Sequence, residues 1–214
     1  MVDGAVVKPP RHICCLSPQL CVGSLRSIIG AGMANDTKNS IEMALQPLIG
    51  LPLSIAREAA DMRVLHFGAI RPHRSGKGTV GSHALHIQCA WRLTGPGGII
   101  TGYSDCVSSS EPDGEPDPEN WRSGNLLKVR MEEFMGDYDE NTRSPIDLTG
   151  RHVVAAVEAD RYGSVDILFN GDIRLQIFPD GSSTEDWRFI SMKPEGRDHF
   201  VIFGGKVETQ DEHP

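Results

Sequence analysis

Strict period-two alternation is the strongest constraint in this chain. From His83 to Leu93 (HALHIQCAWRL), His83, Leu85, Ile87, Cys89, Trp91 and Leu93 fall on one side, and Ala84, His86, Gln88, Ala90 and Arg92 on the other. Successive strand side chains point to opposite faces of a sheet, so the pattern predicts one strand with an apolar core face and a polar, solvated face. Gly95-Pro96-Gly97-Gly98 then turns the chain, and Ile99 to Asp105 is the expected hairpin partner.

Other segments extend the same theme. Residues 62–70 (MRVLHFGAI) read as a strand, followed by a Pro/Gly/Ser-rich turn from Arg71 to Gly78. From His152 onward, short apolar runs between turns predict a β-meander, with strands near 152–160, 164–169, 173–178, 186–192 and 199–204. At Asn170-Gly171 a two-residue loop would set Val165 and Ile167 on the face opposite Ile173, Leu175 and Ile177. A three-residue loop with Gly171 left-handed pairs Ile167 with Ile173 and Val165 with Leu175, and all apolar residues then share one face. The bulged loop is therefore expected.

Helical signals are fewer. Asn39 followed by Glu42 has the form of a capping box, Ile41, Met43, Ala44, Leu45 and Leu48 give a short apolar face, and Pro47 ends the helix near Gln46. Residues 124–138 carry a second apolar set, Leu126, Leu127, Val129, Met131 and Phe134, in which Val129 to Met131 also fit a strand. Residues 51–61 stay open between a short strand and a helical turn. Residues 108–120 (SSSEPDGEPDPEN) lack any aromatic or branched apolar residue that could offset ordering entropy, so they read as a mobile acidic loop. The expected fold is α+β, mainly antiparallel β-hairpins and a C-terminal β-meander with one or two short helices. It forms a single domain over 33–207, followed by a disordered tail at 208–214.

Net charge bounds the partners. A formal charge of -8 repels phosphate backbones and no Lys/Arg stripe is legible along the chain, so nucleic acid is not expected as a ligand. The acidity suits a basic protein partner by complementary steering. Cys14, Cys15, Cys21, Cys89 and Cys106 form no C-x-x-C pair and no even framework, so neither a disulfide scaffold nor a zinc site is read. No apolar run reaches membrane-spanning length, and Ile13 to Ala34 is too interrupted for a signal peptide. A cytoplasmic protein is expected. By hypothesis, translation starts at Met33, where a polar, helix-starting sequence takes over, leaving 1–32 disordered or non-native. Mass spectrometry of the protein from its own locus tests this, since a peptide upstream of Met33 would refute it.

Several motifs invite chemistry. Ser75-Gly76-Lys77-Gly78-Thr79 has the residues of a phosphate loop, but Gly78 intervenes and a strand follows, so a hairpin turn is the better reading. His83 and His86 point to opposite strand faces and cannot share a metal; His83 is expected as a hydrogen-bonded core residue. His86, Gln88 and Arg92 share a polar face that could line a pocket, with Asp105 nearby, although a plain solvated face is the simpler expectation. Each tryptophan precedes an arginine (Trp91-Arg92, Trp121-Arg122, Trp187-Arg188), placing ring inside and guanidinium outside, and Arg92, Arg122 and Arg188 are contact candidates. Asp180, Glu185 and Asp186 gather carboxylates beside a strand start, where a turn with an ion pair to Arg188 is expected. No nucleophile elbow or triad order is present, so no catalytic residue, cofactor or metal is assigned.

Three stretches, LIGLPLSIAREAADMRVLHFG (48–68), HALHIQCAWRL (83–93) and LFNGDIRLQIFPDGSSTEDWRFI (168–190), together resemble a family of small uncharacterised bacterial proteins. Such small acidic proteins are similar in character to the immunity proteins that neutralise secreted toxins. The resemblance brings no activity with it; the acidic charge, the missing catalytic constellation and the Trp-Arg steps lead to the expectation of a non-catalytic binding or protein-interaction module, and the alternative is a small-molecule-binding protein or weak hydrolase with a polar pocket around His86, Gln88 and Arg92.

Overall fold

The computed structural model describes residues 29–59, 62–111, 114, 125–136, 138–139, 144–145, 152–192 and 197–208. Most of the expected N-terminal extension, Trp121-Arg122, most of the acidic loop and all but the first residue of the C-terminal tail lie outside the described residues. In chain order the elements are α1 (Ile29–Leu45), β1 (Leu53–Ala59), β2 (Met62–Phe67), β3 (Arg71–Pro72), β4 (Thr79–Val80), β5 (His83–Ile87), β6 (Ala90–Gly95) and β7 (Gly98–Gly102). They continue with α2 (Leu126–Met135), β8 (Tyr138–Asp139), β9 (Ser144–Pro145), β10 (Val154–Ala159), β11 (Val165–Phe169), β12 (Ile173–Phe178), β13 (Glu185–Met192), β14 (Arg197–Phe203) and β15 (Lys206–Val207). A six-stranded sheet runs β1-β2-β5-β13-β14-β15 and a five-stranded sheet β10-β11-β12-β6-β7, every pairing antiparallel. The fold is α+β, dominated by hairpins.

The strand expected over His83–Leu93 is two strands. At the corner, the amides of Gln88 and Cys89 both donate to the Asp186 carbonyl, at 2.8 and 3.1 Å, and the chain leaves one sheet for the other. The alternation survives the bend because both sheets pack on the same core, so Leu85, Ile87, Cys89, Trp91 and Leu93 are all buried in it. The polar side does not stay uniformly wet, since Ala84 is wholly buried. The C-terminal strands divide in the same way: β10 to β12 belong to the five-stranded sheet, and β13 and β14 to the six-stranded one.

The Asn170 loop has three residues, with Gly171 at φ 76° and Asp172 at φ 58°. The apolar residues share one face as expected, but the pairing is Ile167 with Leu175 and Val165 with Ile177, two residues from the expected register. A two-residue shift preserves the face, which is why the pattern could not distinguish them.

The helices bridge sheet edges. α1 packs against β10 and β15, and α2 against β7 and β1. The capping box is not formed, because Asn39 lies inside α1. Glu42 instead pairs with Lys38 and accepts the Ala159 N–H at 3.1 Å, while Lys38 Nζ donates to the Ala159 carbonyl at 3.1 Å, fastening α1 to the exposed edge of β10. Ile41 and Leu45 are buried, but Met43, expected on the same face, is exposed. α2 starts where Asn125 Oδ1 accepts the Lys128 N–H at 2.7 Å and buries Leu127, Met131 and Met135. Residues 53–59, left open by the sequence, form β1.

Candidate functional site

Register and alternation place two rows of residues on the side of the six-stranded sheet away from the core. One row is Arg57, Val64, His86, Arg188 and Val201; the next is Ile55, His66, Ala84, Ile190 and His199. Ile55, Val64, Ala84 and Ile190 are buried, yet they stand apart from the main core cluster. The β3–β4 hairpin is a flap folded back against this face, where it adds buried Val80.

Hydrogen bonds hold the flap. Arg57 Nη2 donates to Thr79 Oγ1 at 3.0 Å, the Arg71 guanidinium donates to the Met192 carbonyl, and the Gly81 N–H donates to His66 Nδ1 at 3.3 Å. Gly81 is required at the root, since a Cβ there would lie 2.6 Å from the Phe67 carbonyl oxygen. Burial pushes the His66 pKa down to about 4, with repulsion from Arg57, His86 and His73 adding to it. His66 is therefore neutral near pH 7, and accepting at Nδ1 leaves its proton on Nε2.

The flap tip is a hairpin loop. The His73 N–H donates to the Gly78 carbonyl at 2.9 Å, His73 Nδ1 lies 2.7 Å from Ser75 Oγ and accepts the Ser75 N–H at 3.1 Å, and Gly76 and Gly78 take φ of 71° and 73°. Arg74 to Gly78 are exposed. A strand follows, as the hairpin reading of Ser75–Thr79 required.

Four of the sequence-selected residues meet at the rim of this face. Gln88 Nε2 donates to Glu185 Oε1 at 2.8 Å, and Arg188 grips the same carboxylate with two nitrogens, Nε at 2.6 Å from Oε1. His86 sits half-buried directly across from Arg188. The ion pair to Arg188 therefore comes from Glu185, in the turn region where one was expected.

The others lie apart. Arg92 is on the outer face of the five-stranded sheet, donating to Gln176 Oε1 at 2.7 Å with its guanidinium 5.3 Å from the Phe178 ring centre. Asp105 accepts from Thr101 Oγ1 at 2.8 Å and from the Gly102 N–H at 3.3 Å, holding the turn after β7. Asp180 is exposed in the crossover between the sheets, and Arg122 is outside the described residues. His86, Gln88, Arg92 and Asp105 thus do not converge on one concavity. No family model, curated protein or solved structure matches the chain. The resemblance read from three sequence stretches accordingly carries no family assignment.

Buried polar groups complete the picture. His83 lies on the core side, opposite His86, and stacks on Phe189 at 5.4 Å; contrary to expectation its Nδ1 has no hydrogen-bond partner among the described residues. Asp186 turns inward at 1% exposure, Oδ2 accepting the Gly205 N–H at 2.8 Å and Oδ1 unpartnered among the described residues. Burial raises its pKa, the Gly205 amide opposing and the Asp180 and Glu185 charges reinforcing the rise. Burial likewise pushes the Cys89 thiol up to about 12, so it is unreactive as a nucleophile near neutral pH. Among the described residues no three His, Cys, Asp or Glu side chains gather as a metal site needs, and no helix is long and apolar enough to cross a membrane. An interior void of ≈ 10 Å³ lined by Leu53, Leu65, Trp91, Met131 and Phe169 has room for about one water and no ligand.

The cations around the flap escaped the sequence reading, although a signal was present. From Met62 to Ser104 the chain has no Asp or Glu, while holding Arg63, Arg71, Arg74, Lys77 and Arg92. The residues are too scattered along the sequence to form a stripe; the flap, folding back, brings Arg71, Arg74 and Lys77 to the face that carries Arg57.

Proposed function

We propose that this chain is a non-catalytic protein-interaction module, a role of the immunity-like kind, with the flap-covered face of the six-stranded sheet as its contact surface. One observation carries the reading: the polar residues that do come together, His86, Gln88, Glu185 and Arg188, meet at the rim of that face. Arg188 is held there by a bidentate carboxylate, a preorganised arrangement that costs little to present to a partner. Trp187 next to it is wholly buried and anchors β13 through its indole N–H, 2.8 Å from the Gly163 carbonyl, so the contact residue rests on a rigid strand.

Capture from the native host with the tagged full-length chain tests this. The expected result is a stoichiometric protein partner retained by the wild type and lost from Arg188→Glu. A wild-type chain that remains a solitary monomer at high concentration overturns the reading.

A further inference from the structure

We propose that the β3–β4 hairpin is an acid-released flap, latched to the sheet by the hydrogen bond from the Gly81 N–H to His66 Nδ1. That bond has a required polarity. A backbone N–H only donates, so His66 must meet it with a bare ring nitrogen, whereas an imidazolium carries hydrogen on both nitrogens. Protonation therefore sets donor against donor at a side chain that is 4% exposed. The root is packed too closely for a small adjustment to relieve this. A Cβ on Gly81 would lie 2.6 Å from the Phe67 carbonyl oxygen and 3.0 Å from the His66 Cβ, so the backbone already rests against β2.

The charges around the ring act in the same sense. Arg57 reaches it from β1, His86 from β5 and His73 from the flap, and all three oppose a proton on His66. The carboxylates of the strands beside it are directed elsewhere. Glu58 of β1 faces Arg63, with Oε2 4.0 Å from Nη2; Glu185 of β13 is gripped by Arg188 and Gln88; Asp186 turns inward. On the flap itself, Arg71 donates to the Met192 carbonyl, and Arg74 and Lys77 are at the exposed tip. His199, in the same row, stands three strands away on β14.

Only part of the chain moves. On one arm the Gly68 N–H donates to the Pro52 carbonyl at 2.9 Å and the Gly68 carbonyl accepts from Ser54 Oγ. On the other, the Met192 N–H donates to the Ser82 carbonyl at 3.0 Å. Both stems are thus fixed to the sheet, and residues 69–81 form the segment that lifts. The Arg57–Thr79 and Arg71–Met192 bonds join guanidinium groups to a hydroxyl and a carbonyl, none of which titrates between pH 4 and 7. His73 Nδ1 also accepts an N–H, from Ser75, but within the tip, where its loss leaves the root attached. Lifting brings His66 and buried Val80 to water. The latch needs no partner to work, so it stands or falls apart from the interaction-module reading.

Hydrogen exchange of the full chain, read amide by amide by NMR and corrected for the intrinsic rate, tests the latch. With the ring at 6.5 when exposed and about 4 when buried, exchange at Gly81 should accelerate ~100-fold from pH 7 to pH 4. The amides of β5, paired on both sides by β2 and β13, should keep their protection. His66→Gln supplies an acceptor that does not titrate, so its Gly81 amide should show no acid acceleration. Unaltered protection of Gly81 in the wild type, an equal acceleration throughout β5, or an acceleration kept by His66→Gln each overturns the inference. Titration of the His66 ring in the wild type gives a second measure that does not depend on the variant folding. A ring that takes up its proton near pH 6.5 while Gly81 stays protected overturns the latch as well.

Discussion

The two sheets present opposite kinds of outer face. On the five-stranded sheet, Arg92 donates to Gln176, while Gln176 and Arg174 donate to Asp166 at 3.0 and 2.8 Å, a hydrogen-bonded polar ladder at the solvent boundary. On the six-stranded sheet, Ile55, Ala84 and Ile190 are buried outside the main core, and the hairpin fastened to that face is basic. A sheet with one polar face needs no further cover, whereas strands apolar on both faces need a second layer. β2 shows this in its sequence: every residue of MRVLHF after Met62 is buried.

The sharpest break of that comparison is Ile190→Ala. Although Ile190 faces away from the main core, its loss should cost ~2–5 kcal/mol, the range for emptying a buried aliphatic site, and Ile167→Ala between the sheets should cost a similar amount. Urea unfolding of both variants measures this. A cost below ~1 kcal/mol for Ile190→Ala would mean that the flap stands open in solution.

These two faces also mark where the sequence was legible. Hairpins and apolar faces were readable because period-two patterning reports burial directly, and the loop at Asn170-Gly171 followed from keeping Val165 and Ile167 on the side of Leu175 and Ile177. The corner at Gln88–Cys89 was not, since Leu85, Ile87, Cys89, Trp91 and Leu93 alternate identically whether the strand is straight or passes between sheets around one core. Glu42 looked like a capping residue because its real partner, the Ala159 N–H, is distant in sequence. For the candidate site, single-strand patterning put His86 with Arg92, whereas cross-strand pairing put it with Arg188. Only sheet order could decide between them.

His66 makes the flap-covered face pH-sensitive. Its pKa falls from 6.5 to about 4 on folding, so below pH 6.5 the unfolded chain binds a proton that the native chain refuses. The stabilisation is fully present above pH 6.5 and is lost as pH falls through about 4, a difference of ~3 kcal/mol. Chemical denaturation across this window should show the slope in the wild type and its loss in His66→Gln, which retains an acceptor for the Gly81 N–H. An unchanged slope in the variant would assign the dependence to other groups.

Asp186, at the corner where the sheets join, should respond in the opposite sense. A carboxyl whose folded pKa is raised above 3.8 contributes most when protonated, and that contribution is lost as pH rises through the folded value. Asp186→Asn keeps an oxygen for the Gly205 N–H and removes the buried charge, so near neutral pH it should match or exceed the wild type in stability. Well below pH 3.8 the two should agree. A loss beyond ~1 kcal/mol at neutral pH would mean that the ionised carboxylate is satisfied in the native protein.

The smallest effect belongs to the ladder. Arg92 and its Gln176 partner donate and accept where water can replace either group, so Arg92→Ala and Gln176→Ala should each change stability by no more than ~0.5 kcal/mol. Their double-mutant cycle should give a coupling of the same small size. A coupling above ~1 kcal/mol would mean that the ladder is a fixed, dehydrated array, and the contrast between a solvated face and a covered one would then fail. Small coupling here with a large loss in Ile190→Ala would place the second core, and the rigidity it gives the flap, on the six-stranded side alone.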